Sequence, residues 1–281
     1  MADRNQTVFR RYNTPTTREG MYLRLPPSDF FPQGDVPAVI DPFRTTVSQE
    51  YPLGTELFYA DRKFRYARNG AVALTIAKLC QAVVPLAGHI SEAINEPAVG
   101  SNTIAFTPAV VTTDDLAVDQ LADGYIFVES ATSGGHAYRI KSHPAIVGAV
   151  SGVLTLYDPI LVAPAAAALA TVVHNRWRNV IVHPSPPTAL LAGVTVLAVP
   201  ANEYCWLQTK GPCPVLLDGT VVINTAVMPS AVTDGSVADW TFTLTEGAPN
   251  TITNQARKQV GYVMVVTPTT DYGLIWLDLG D

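Results

Sequence analysis

The sequence predicts a mainly β protein: antiparallel sandwich or barrel domains with an extended N-terminal arm and at most short helices. Three observations predict it. Twenty-two prolines and nineteen glycines punctuate 281 residues of which only 15% are charged, a density of breakers that suits many short elements joined by tight turns. Apolar and polar side chains alternate with period two in one string after another. No strand–helix–strand rhythm of the kind that builds parallel sheets is present. With 48% hydrophobic residues, the chain has ample material to bury a sizeable core.

Residues 1–50 read as the arm. Arg4, Arg10, Arg11, Arg18 and Arg24 concentrate there with Asp3 and Glu19 as the nearby acids, and the run LPPSDFFPQGDVPAVIDP fixes φ at its prolines and discourages helix. Two readings stand side by side: an ordinary solvated tail, or an arm that lies on an acidic neighbour through those five arginines. The opening MADRNQTVFRRY lacks the apolar core of a secretory leader. The most apolar stretch, ILVAPAAAALATVV at 160–173, is short for a bilayer and broken by Pro164. The expectation is a soluble, non-secreted chain without a membrane partner.

The body opens on LGTELFYADRKFRYARNG, where Leu57, Tyr59, Phe64 and Tyr66 alternate with polar or small neighbours on either side of Asp61 and Arg62. That is a hairpin, with the Asp-Arg pair as its turn. GYIFVES (124–130) and HAYRIKS (136–142), joined through ATSGG, form a second one. Between the two hairpins, residues 69–94 are ambiguous between helix and strand. The β-branched Val72, Ile76, Val83 and Val84 and the stop at Pro85 allow a short helix at most. The strings VSGVLTLYD, VVHNRWRNVIVHP, GVTVLAVP, EYCWLQTKG, PVLLDGTVVIN, ADWTFTLTE, VGYVMVVTP and GLIWLDLGD then follow at intervals typical of closed or sandwiched sheets. A break is expected near residues 184–193, within HPSPPTALLAG. It divides a β-rich domain at 51–185 from a small barrel-like domain at 190–281.

Chemistry-bearing patterns are sparse. Cys80, Cys205 and Cys213 form neither an even framework nor a CxxC pair, and the default is buried thiols, with a Cys205–Cys213 bridge as the alternative. His89, His136, His143, His174 and His183 show no metal-ligand spacing. Ser133-Gly134-Gly135-His136 reads as a glycine turn, and Asp114 and Asp115 as a solvated face or helix start. If the chain is an enzyme, a glycan hydrolase resting on Asp114, Asp115 or His136 is the candidate. Phosphate-binding glycine loops are absent, so no cofactor and no metal is expected. The net charge of −6 argues against direct nucleic-acid binding. Tyr204, Trp206, Trp240 and Trp276 have the chemistry to stack on sugars, with core or interface anchors as the competing reading.

Six blocks carry a resemblance: LGTELFYADRKFRYARNG, DGYIFVESATSGGHAYRIKSHPA, LTLYDPI, NRWRNVIVHPS, EYCWLQTKGPCPVLLDG and VGYVMVVTPTTDYGLIWLDL. Over roughly residues 50–281 the chain resembles virion structural proteins of tailed bacteriophages. The most telling blocks are Gly135-x-x-Tyr138-x-Ile140-x-x-His143 and Tyr204-x-Trp206-x-Gln208-Thr209-x-Gly211. The closing block is similar to the small barrels of capsid decoration proteins. The resemblance implies a non-enzymatic decoration or cement protein on the capsid surface, bound to the major capsid protein and self-associating as a homotrimer. A neck, tail or fibre component and a virion-borne glycan-binding protein or hydrolase are the other expectations.

Overall fold

The computed structural model describes residues 14–16, 21–24, 40–109, 114–129, 134–240, 258–267 and 271–280. Strands account for nearly all of its regular structure, and the helical elements are 3₁₀ turns such as Ala87–His89. The mainly β expectation therefore holds. In chain order the strands are β1 (Thr14–Thr16), β2 (Met21–Arg24), β3 (Glu56–Tyr59), β4 (Arg62–Arg68) and β5 (Leu79–Gln81). There follow β6 (Glu92–Ile94), β7 (Thr103–Thr107), β8 (Tyr125–Val128), β9 (Ala137–Ser142), β10 (Gly152–Leu156) and β11 (Leu169–Val173). The last are β12 (Ile181–Val182), β13 (Leu191–Thr195), β14 (Tyr204–Leu216), β15 (Ala226–Pro229), β16 (Val237–Asp239), β17 (Gly261–Val265) and β18 (Tyr272–Asp278).

The chain divides differently from the sequence expectation. One unit comprises residues 1–83 and 177–281, and a second, 84–176, is inserted into it. The proline-rich run at 184–193 is a loop within one sheet, because β12 and β13 on either side of it both pair with β5. Buried Gln81 ties that loop down: its side-chain oxygen accepts the Thr188 and Ala189 amides, and its nitrogen donates to the Thr188 hydroxyl.

The inserted unit holds the closed barrel, six strands in the order β10-β7-β6-β11-β8-β9. This places the barrel well before residues 190–281, where the sequence put it. Period-two alternation sends Ile104, Phe106, Ile126, Val128, Tyr138, Ile140, Leu154 and Leu156 inward, all essentially inaccessible to water. A ring of so few strands is filled by its own side chains, and closure leaves no edge to template another chain. The predicted hairpin of residues 124–142 is β8–β9, with Ile126 opposite Tyr138.

Among the described residues, the larger unit forms a twelve-stranded antiparallel sheet with two cores. Its central path runs β1-β2-β3-β4-β14-β18-β17-β15-β16. The β3–β4 hairpin matches the alternation of the sequence, but its turn lies one residue earlier than expected. Tyr59 pairs with Arg62, so Ala60 and Asp61 form the connection, with Ala60 at φ 53°. The ambiguous stretch 69–94 yields β5, β6 and the 3₁₀ turn, not a longer helix.

Strand β14 serves both cores. Its first half lies between β4 and β13, and Cys205–Thr209 are buried on both faces. At Thr209 the pairing with β4 shifts register, and from Lys210 onward the strand pairs with β18. Gly211 makes the change of partner sterically feasible. Its φ is +89°, and a Cβ there would lie 2.3 Å from the backbone oxygen of Asp61. Beyond it, Pro212 and Pro214 sit where a missing donor costs nothing. The N–H of Leu216, which has the same parity, points away from β18 to the Ala77 carbonyl, so the two prolines also turn their donor-less nitrogens from the β18 ladder.

All three cysteines are free and buried, Cys205 beneath one core and Cys213 in the other, so the suggested Cys205–Cys213 bridge is not formed. Burial pushes the Cys205 and Cys213 thiols up to about 12 and Cys80 higher still, so the reactive thiolate is suppressed while the fold persists.

Tyr51, Tyr66 and Trp206 pack against one another in the first core, with ring centroids 5.0–5.3 Å apart. The Tyr66 hydroxyl meets the Thr46 hydroxyl and accepts the Glu50 amide. Burial pushes both phenols up to about 12, from an ordinary value of about 10. Between those values the unfolded chain has released protons that the native state keeps, so stability is full below about pH 10 and falls towards about pH 12. Urea unfolding followed by tryptophan fluorescence is expected to show a lower midpoint at about pH 11.5 than at about pH 9, with a native phenolate titration that lags that of the unfolded chain.

Candidate functional site

The five arginines of the arm come first. Arg4, Arg10, Arg11 and Arg18 lie outside the described residues, and Arg24 ends β2 in register with Glu56. That glutamate anchors a buried charge cluster. Its Oε1 meets Lys63 Nζ at 3.1 Å and Arg65 at 2.6 Å, with Glu56 and Lys63 each only 8% exposed. Lys63 also lies over the Phe58 ring and Arg65 over Trp177. The cluster fastens the β3–β4 hairpin and is structural.

The residues with candidate catalytic chemistry do not converge. Asp114 is buried, its Oδ2 crowds the Cα side of Gly88, and its backbone oxygen accepts the His89 Nε2 proton at 2.9 Å. Asp115 accepts the Gly148 amide. His136 lies towards Tyr138 and shares no hydrogen bond or ion pair with either aspartate, while Ser133 is outside the described residues. Two other histidines act as braces through the same local device, a His-Pro pair. Nδ1 of His143 donates to the Pro144 carbonyl while its Nε2 accepts the Leu121 amide, and the His183 ring faces the Pro184 carbonyl with Nδ1 and the Ser236 carbonyl with Nε2. Among the described residues, no three His, Cys, Asp or Glu side chains gather to hold a metal ion, and no helix is long and apolar enough to cross a membrane.

Of the four aromatics singled out, Tyr204 and Trp206 belong to the first core. The other two stand on the solvent side of the second core. The registers place Pro212 opposite Trp276, Trp276 opposite Tyr262, and Tyr262 opposite Ala226. The Trp240 amide donates to the Ala226 carbonyl, which extends the β15–β16 pairing by one residue and puts Trp240 opposite Ala226. Directly opposed residues in an antiparallel pair share a face. One row of side chains therefore crosses β14, β18, β17, β15 and the end of β16. Within it Trp276 is 36% exposed, Trp240 38% and Tyr262 48%.

The row belongs to a wider apolar face. Met264, Val265 and Tyr272 are exposed beside it, while the alternate residues Val263, Ile275 and Leu277 fill the core beneath. Charge enters at one end, where Lys210 and Asp278 oppose each other one step beyond Pro212 and Trp276. Asp278 Oδ1 accepts the Gly280 amide. Isolated exposed apolar residues are ordinary, but apolar and aromatic side chains gathered on one face of a sheet signal a binding surface.

No protein-family model, curated protein or solved structure matches the chain.

The inserted barrel carries an uncharged surface of its own. Pro144, Ala145, Val147, Val150, Ser151 and Val153 line an open groove of about 440 Å³, floored by Ile146 and Gly152. From residue 144 to residue 170 the sequence holds a single charged side chain, Asp158. A freely solvated surface would ordinarily carry about a quarter to a third charged residues. Val147, Val150, Leu161 and Leu169 are all exposed along this stretch.

Proposed function

We propose that the chain is a non-enzymatic structural component of a virion, bound to the major capsid protein lattice as a decoration or cement protein that stabilises the head. The observation that carries this reading is the uncharged exposed face on the barrel, where valines line an open groove. A surface of that kind gains free energy by being covered. The resemblance to tailed-phage virion proteins supplies the partner, and the blocks that carry it fall mainly on strands that frame the cores, β3–β4, β8–β9, β14 and β17–β18. The mechanism is mechanical. Subunits bridge neighbouring shell proteins, and standard interfaces of about 1,200–2,000 Å² repeated by symmetry add up across the shell. Self-association as a homotrimer and engagement of an acidic neighbour by Arg4, Arg10, Arg11, Arg18 and Arg24 belong to the same proposal.

Purified protein mixed with shells assembled from the major capsid protein is the test. Co-sedimentation at a stoichiometry near that of the shell subunit is expected. Labelled copies confined to one vertex or to the tail would replace this reading with a neck, tail or fibre component, and turnover of host polysaccharide would replace it with a hydrolase.

A further inference from the structure

We infer that the aromatic row formed by Trp276, Tyr262 and Trp240 is a platform for a neutral polysaccharide chain. This goes beyond the virion reading and does not depend on it. Hexose rings present an apolar face of C–H groups and a rim of hydroxyls, so they are recognised by flat aromatic side chains with hydrogen-bonding groups at the margin. The row has both parts. Trp276 and Tyr262 stand on adjacent strands, and Trp240 lies two strands beyond Tyr262. At about 4.8 Å per strand the platform extends roughly 14 Å, and that step is close to the advance of one sugar unit along an extended β-linked chain. The strands that carry Trp276 and Tyr262 are paired on a filled core, so those two rings are held on a rigid floor, while Trp240 follows the last residue of β16.

Charge decides the ligand class. The row itself carries none, and Lys210 and Asp278 at its end are of opposite sign, so neither a polyanion nor a polycation gains net attraction. A chain at −6 overall repels polyanions further. Neutral sugar hydroxyls can use both groups, donating to the aspartate and accepting from the lysine.

Affinity electrophoresis of the full chain through gels containing barley β-glucan, hydroxyethyl cellulose, galactomannan or dextran tests the assignment, with tryptophan fluorescence as a second readout. At least one polysaccharide is expected to retard the protein and change its emission. Trp276→Ala and Tyr262→Ala should each weaken that binding by about tenfold or more, while Val150→Ser on the barrel leaves it unchanged. Urea midpoints of the variants establish that the sheet is intact. Migration unaffected by every gel overturns the platform, as does retardation that persists in Trp276→Ala. If the row variants bind no sugar differently but lose co-sedimentation with shells or self-association, the face is a protein interface, and the glycan assignment falls while the virion reading stands.

Discussion

Replacing Gly211 with alanine is expected to destabilise the larger unit by about 3 kcal/mol or more, whereas Gly219→Ala should cost about 1 kcal/mol. Both glycines have positive φ, +89° and +79°, so both substitutions incur the backbone penalty of an L side chain in the left-handed region. The difference lies in space. A Cβ at Gly219 meets nothing within 4 Å, while one at Gly211 falls 2.3 Å from the Asp61 oxygen and 3.1 Å from the Arg62 Cα. Those are backbone atoms, and no rotamer change can move them aside. Relief requires β14 to part from the β3–β4 hairpin at the point where the strand passes from one core to the other. All four tryptophans, Trp177, Trp206, Trp240 and Trp276, lie in the larger unit, so urea unfolding followed by their fluorescence reports that unit without interference from the barrel. Equal midpoints for the two variants would mean that the close approach at Gly211 does not constrain the fold.

The second large effect is expected from Glu56→Gln, about 3 kcal/mol by the same measurement. The substitution keeps shape and removes charge, leaving Lys63 and Arg65 close together without the carboxylate they share. Mutual repulsion of two cations held in a largely water-excluded site adds to the lost hydrogen bonds. Glu50→Gln is the matched comparison. Its partner Arg44 is 45% exposed, and water screens such a pair, so a loss below about 1 kcal/mol is expected. Restoring stability to Glu56→Gln by also replacing Lys63 with methionine would identify the surplus positive charge as the cause.

Much of the architecture was legible because one physical rule, alternation across a half-buried strand, leaves a local trace. Leu57, Phe64 and Tyr66 face the core as their spacing indicates, and so do Tyr138 and Ile140. Turn position was less legible. Asp61-Arg62 looks like the better turn, yet cross-strand pairing of Arg62 with Tyr59 moved it to Ala60-Asp61, at the expense of a left-handed alanine. The domain division was not legible at all. A proline-rich run is read from composition, but whether it separates two bodies depends on what the flanking strands pair with, and β12 and β13 pair with a strand about a hundred residues earlier. The same limit hid the aromatic row. Trp240, Tyr262 and Trp276 are 14 to 36 residues apart, and only the registers of β15, β17 and β18 bring them side by side. Tyr262 carried no signal of its own, since its string VGYVMVVTP reads as one more strand. The paired His-Pro steps at 143 and 183 were a visible signal of bracing histidines that spacing rules for metal ligands pass over.

The pairing of β5 with β12, Cys80 opposite Val182 and Gln81 opposite Ile181, sets the two chain crossings of the insertion beside each other in the host sheet. Because the chain leaves and re-enters the host sheet on neighbouring strands, a short connection from β5 to β12 would span the gap left by removing residues 84–176.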